Sequence, residues 1–292
     1  MLGKIRSSRL RALLGVGGLL GASGIGWAAH GMTSPPPSPV PQITAHTPAK
    51  PVTVVTLGFD DAYADQMQAL PLLREKRLSA TFYVISGVIG RKGVMTWKQV
   101  AQVAAAGHEI GGHTVDHHRL KGLSVARLRH EICDDRVTLF KKGYKPVSFA
   151  YPLGSYDDNA AATVLKCGYN NGRLTSGLYG KGPFSETLPP ANPSLIRTRS
   201  AGTAPEDVVA NIEAGIKDAQ AHGGGWYNIV LHHICDTCRT DSISRADFIK
   251  LLAWLRQSVD DGSIMMRTAG QVVGGPVRPP ISAAALTAQS AH

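Results

Sequence analysis

The sequence contains no arginine-rich run and no interleaving of aromatic with basic side chains. Nucleic acid is therefore not the partner it suggests, even with a formal net charge of +10. No glycine-rich dinucleotide or phosphate loop follows the first apolar run, which counts against an open doubly wound nucleotide-binding sheet. No internal repeat with a period of roughly 20–50 residues is visible. Acidic residues are missing altogether from positions 1–31, which instead open with Lys4, Arg6, Arg9 and Arg11. Behind that basic start, residues 12–29 form the one long uncharged apolar run, read as a signal peptide or signal-anchor over 1–31. Small residues at Ala29 and Gly31 would allow cleavage. Export is expected, to the cell envelope or medium, with membrane anchoring through this segment as the alternative. Residues 32–50 read as a proline-rich linker, 51–273 as the folded domain and 274–292 as a flexible tail.

Cysteine is scarce too, with four in 292 residues: Cys133, Cys167, Cys235 and Cys238. An even count in an exported chain favours disulfides, expected as Cys133–Cys167 and Cys235–Cys238. The Cys-Asp-Thr-Cys spacing also suits half a zinc site or a redox motif, but no second such pair exists. What remains supports a packed core: hydrophobic residues make up 43% of the chain, and 32 glycines and 18 prolines mark many turns.

Between Lys50 and Gly274, β-branched runs alternate with helical stretches. The runs fall near 52–59, 79–86, 107–112, 146–151, 169–175, 195–200, 227–232 and 263–267. Helices are expected over 63–76, 96–106, 124–142, 205–222 and 244–260, with a capping-box spacing at Thr96 and Gln99. Strand–helix alternation implies a parallel sheet, and this number of units predicts an α/β fold, a distorted (β/α) barrel of seven or eight strands with peripheral helices.

The reactive side chains gather where apolar runs end: Asp60 and Asp61, His113 and His117, Tyr151 to Gly154, and His232 and His233. In a parallel barrel all those ends open on one face. His113 and His117 point the same way if the chain turns helically after the strand, and a carboxylate from the first strand completes a two-histidine, one-carboxylate set. The paired aspartates suit a division of labour, one on a divalent metal and one as general base. A histidine of the seventh run would be the general acid; strand alternation lets only one of His232 and His233 face the site.

These residues resemble the motifs of the polysaccharide deacetylases, the NodB-homology domain of family 4 carbohydrate esterases, over roughly residues 50–273. The first motif stands as Phe59-Asp60-Asp61, the second as His113-Thr114-Val115-Asp116-His117, the third as Tyr151-Pro152-Leu153-Gly154 and the fifth as Leu231-His232. The resemblance implies Asp60 as catalytic base, His232 as general acid, and Asp61, His113 and His117 as ligands of a divalent metal, usually Zn2+. It also implies substrate contacts from Tyr151, Leu153 (through its N–H, toward the oxyanion) and Leu231. It implies a hydrolase acting on carbon–nitrogen, but not peptide, bonds, removing acetyl groups from N-acetylated sugars of a polysaccharide. Peptidoglycan, chitin-type glycans and exopolysaccharide all qualify; an O-acetyl (xylan-type) esterase and an inactive carbohydrate-binding protein are the alternatives. No protein partner is inferred. Two departures stand out: Ala150 occupies the place of the family arginine that tethers the catalytic aspartate, and Ala62 replaces a common glycine. The Asp- and Trp-rich fourth motif has no clear counterpart between Gly177 and Glu206.

Overall fold

A computed structural model describes residues 52–202, 205–238 and 241–289. The expected signal segment and the whole of the expected linker lie outside the described residues.

The first apolar run becomes β1 (Thr53–Phe59), all seven of whose residues are buried. Burial on both faces is what a central parallel strand requires, and it explains a continuous rather than alternating apolar sequence. Seven further strands join it: β2 (Thr81–Val84), β3 (Glu109–Gly112), β4 (Ser148–Ala150), β5 (Asn171–Gly177), β6 (Ile196–Thr198), β7 (Gly225–Leu231) and β10 (Met265–Met266). All pairings in this eight-stranded sheet are parallel, in the order β10-β1-β2-β3-β4-β5-β6, with β7 also on β1. β7 follows β1 from Thr53 to Phe59, while β10 (at Val54 and Val55) and β2 (at Gly58 and Phe59) pair with its two ends. Between β6 and β7 the barrel is distorted. Glu186 makes an antiparallel bridge to Trp226 there and clamps Arg197 of β6 through both carboxylate oxygens. A small pair, β8 (His233–Ile234) with β9 (Ser242–Ile243), sits just beyond β7.

Helices cover the sheet as the apolar spacing predicts. They are α1 (Ala69–Lys76, entered through a 3-10 turn), α2 (Trp97–Ala105), α3 (Val125–Arg129), α4 (Asp135–Lys141), α6 (Val208–Ala221) and α7 (Arg245–Asp260). The Thr96–Gln99 capping box is formed in both directions, so two free N–H groups of α2 are satisfied. Phe248, Leu251, Leu252 and Leu255 of α7 and Ile212 and Ile216 of α6 pack into one core with Leu57, Phe59 and Phe82. α5 (Asp158–Lys166) was not among the expected helices; its start is set by Asp157, whose side chain accepts from the Ala160 N–H. α3 and α4 are joined by a wide π-helical turn, His130–Asp134.

Part of the expected tail, up to Gln289, makes defined contacts with the barrel. Beyond α8 (Ala269–Val273), the backbone oxygens of Arg278 and Pro279 accept from Arg136, a fully buried guanidinium on α4. Arg278 in turn donates to the Tyr169 and Leu165 carbonyls. α9 (Ala283–Gln289) then lays Leu286 into the second core, around Phe149, Tyr151 and Tyr169. The tail is small and proline-broken in sequence, but it supplies the carbonyls that a buried arginine needs.

Candidate active site

The C-terminal ends of β1, β3, β4, β5 and β7 line one cleft of about 640 Å3, and it holds Asp60, Asp61, His113, His117, Leu153, Leu231 and His232. Three of these converge. Asp61 Oδ1 lies 3.3 Å from His113 Nε2 and 3.2 Å from His117 Nε2. His113 Nδ1 donates to the Ala150 carbonyl at 2.7 Å, so in the neutral ring Nε2 carries a lone pair aimed at Asp61. Asp61 Oδ1 is buried without a hydrogen-bond donor among the described residues. Three acceptors facing one point repel one another unless a cation joins them, so the donor set fits a divalent metal of the kind that one carboxylate and two imidazoles bind.

The histidines meet by a different route from the expected helical turn. Thr114 and His117 both take left-handed backbone angles, φ 71° and 60°, and the His117 N–H bonds the Thr114 hydroxyl at 2.9 Å. The loop is braced from the π-helical turn, where the fully buried Glu131 accepts the Val115 N–H on its carbonyl and the Asp116 N–H on its carboxylate. Asp61, Ala62 and Leu153 are left-handed as well, so among the described residues most non-glycine positions with positive φ lie at or beside this site. Such conformations cost about 1–2 kcal/mol each and persist where surrounding structure dictates them. Ala62 at φ 56° shows why a glycine suits that position.

Asp60 is buried beside the cluster, and the sequence reading missed what holds it. Arg173 Nη2 of β5 donates to Asp60 Oδ1. Arg173 is the β5 residue paired with Ala150 of β4, so the guanidinium comes from the strand next to the one where the family carries its arginine. It is itself buried, with its charge over the Tyr83 ring at 4.7 Å. Burial pushes the Asp60 carboxyl up, but the charges of Arg173, His113 and His232 outweigh that and hold it below the usual range. Its other oxygen, Oδ2, has no donor among the described residues and lies 4.0 Å from His232 Nε2. The buried Gln66 amide donates to both the Asp60 and His232 carbonyls, locking the ends of β1 and β7 together.

Of the two adjacent histidines, His232 is the one near Asp60. His233 Nδ1 instead bonds Asp65 at 2.6 Å and its ring stacks on Tyr63 at 3.8 Å. Leu153, 53% exposed, and Leu231 reach the cleft. Tyr151 does not: its ring is fully buried against Phe149 and its hydroxyl donates to the Ser194 carbonyl at 2.8 Å, which makes it a core residue rather than a substrate contact. Between Gly177 and Glu206, the cleft takes Ser200, Ala201 and Gly202, with no aspartate or tryptophan. The structure pairs Cys133 with Cys167 and Cys235 with Cys238.

A parallel barrel with one carboxylate and two imidazoles gathered at its C-terminal mouth defines a class of metal-site α/β proteins. Residues 47–172 match the family model described as polysaccharide deacetylase. A Bacillus cereus peptidoglycan-N-acetylglucosamine deacetylase is 32% identical over 120 residues, 40% of this chain and 54% of that one. The Bacillus subtilis protein YxkH is 32% identical over 123 residues, 41% of this chain and 44% of that one. The chain thus spans about half the length of the curated relatives it matches. The fold is shared with a family 4 acetyl xylan esterase from Clostridium thermocellum, solved with a cobalt ion. The TM-score is 0.52 at 18% identity, covering 78% of this chain and 96% of that one. Over residues 47–172 the chain is thus similar to the polysaccharide deacetylases.

Proposed function

We propose that the protein is a metal-dependent hydrolase that removes acetyl groups from N-acetylated sugars of a cell-envelope polysaccharide. The observation that carries this reading is Asp60: a buried carboxylate tethered on one oxygen by Arg173, with the other oxygen bare and facing His232 beside the Asp61–His113–His117 cluster. Asp61, His113 and His117 hold the metal, with zinc the expected ion. When bound, such an ion supplies Lewis-acid polarisation of a carbonyl and lowers the pKa of water. Asp60 Oδ2 takes the proton from the attacking water. The Leu153 N–H, at the mouth of the cleft, donates to the oxygen on which charge develops. His232 gives a proton to the departing sugar amine, and Leu231 packs against the acetyl methyl. The name of the Bacillus cereus relative supports an amide rather than an ester substrate.

The test is acetate release from a panel of N-acetylated and O-acetylated glycans, using metal-stripped and zinc-restored protein. Asp60→Asn should lower turnover by about 10²–10⁴-fold, the range of general acid–base catalysis, with bound zinc unchanged. Asp61→Asn should lose both. Near-normal turnover in Asp60→Asn, or release only from the O-acetyl substrates, would refute the proposal.

A further inference from the structure

At the opposite end of the barrel lies a second, larger cavity of about 1190 Å3. It opens where strands begin: Thr53 starts β1, Ser79 precedes β2, His108 precedes β3, and Met265 and Met266 form β10. It therefore shares nothing with the candidate catalytic cleft. Its walls are apolar, built from Leu70, Leu73, Leu78, Ile264, Met265 and Met266. Val52 and Met265, among the most exposed large hydrophobic side chains described, at 52% and 38%, both line it. Isolated exposed apolar residues are ordinary, but two on the rim of one concave apolar surface mark a binding site.

The charges are of one sign. Arg74, Arg77, Arg256 and Arg267 line the cavity, and no described lining residue is acidic. Arg256 is neutralised by Asp260, whereas Arg74, Arg77 and Arg267 form no ion pair with a carboxylate among the described residues. On the wall, His108 is 8% exposed, with no hydrogen-bond partner on either ring nitrogen among the described residues.

We propose that this cavity binds a single-chain amphipathic anion, an acyl chain carrying a carboxylate or phosphate head. Each element of the site excludes a simpler ligand. A small inorganic anion would leave the apolar walls uncovered, and a neutral lipid would leave three guanidinium groups without a counter-charge. An acyl anion satisfies both, burying its methylenes against the apolar walls and accepting fork-like hydrogen bonds from arginine at its head group.

The experiment titrates the full chain with dodecanoate below its micelle concentration, followed by calorimetry, beside 1-dodecanol and inorganic phosphate. One saturable dodecanoate site is expected, with both controls at least tenfold weaker. Arg74→Gln/Arg77→Gln should weaken dodecanoate at least tenfold, and these exposed positions leave the fold intact. Met265→Glu, which puts a negative charge on the wall, should weaken it similarly. Asp61→Asn should bind dodecanoate as the native chain does, because the cation cluster is at the other end of the barrel. The proposal fails if dodecanoate shows no saturable binding, if dodecanol binds as tightly, if either cavity variant binds unchanged, or if Asp61→Asn abolishes binding.

Discussion

At the scale of single residues, the site depends on what each carboxylate is paired with. Asp60 and Asp61 are neighbours in sequence, yet one faces a guanidinium and the other two imidazoles. Arg173→Gln therefore tests the site from outside its reactive set. Removing one partner of a buried ion pair leaves an uncompensated charge, a loss of about 3–5 kcal/mol, so the midpoint of chemical denaturation should fall accordingly. Acetate release should fall at least tenfold at saturating substrate while zinc content holds, because the cluster around Asp61 does not include Arg173. A denaturation midpoint equal to that of the native chain would mean that Arg173 and Asp60 are not a working pair. Asp60, Asp61, His113, His117 and His232 are legible in the sequence because each follows an apolar run that can only be a strand. Arg173 is not legible that way. It lies inside the run near 169–175, and its partner is 113 residues away, brought close only by the neighbouring register of β4 and β5. The one available signal was a charge at the centre of a strand, which has to be paired if buried. Tyr151 misled in the opposite direction, since a motif position gives no information about which face of the strand end its ring takes.

At the scale of elements, the periodic segments were readable and the irregular ones were not. The helix over 124–142 is predicted as one piece, and the chain does turn helically across it. The wide turn at His130–Asp134 arises in the middle, and it presents Glu131 to the loop that carries His117. Apolar spacing cannot reveal such a turn, because it leaves Leu128, Ile132 and Leu139 facing the core all the same. The same turn carries Cys133, and its disulfide to Cys167 fastens it to the end of α5. A cross-link spanning 34 residues constrains the unfolded chain by about 3–4 kcal/mol on the loop-entropy model. Cys133→Ala/Cys167→Ala should lower the unfolding free energy by about that amount. The Cys235–Cys238 bridge spans three residues and restrains the unfolded chain far less. Its removal should shift the unfolding free energy by a clearly smaller amount, measured in the same denaturant series. Equal losses from the two double variants would contradict this ranking.

At the scale of the whole molecule, the barrel places the candidate chemistry at one end and leaves a carboxylate in the second core whose protonation couples stability to pH. Asp135 of α4 is fully buried and accepts the Tyr169 hydroxyl at 2.7 Å. Burial raises its pKa to about 7, against smaller lowering influences from Tyr169, Ser86 and the charge of His113. The ordinary value of 3.8 applies once the chain unfolds. Between those two values the folded protein holds a proton that the unfolded chain has released, so stability falls as pH rises from about 4 to about 7 and levels off above that. The direction is opposite to that of a salt-bridged aspartate such as Asp60, whose lowered pKa favours the folded state at neutral pH. Asp135→Asn keeps an oxygen for the Tyr169 hydroxyl but cannot ionise. Its melting temperature relative to the native chain should therefore climb between pH 5 and pH 8, which thermal unfolding at both pH values measures directly. A constant difference across that range would mean that Asp135 is already ionised throughout, and that the second core tolerates a bare carboxylate beside Tyr169.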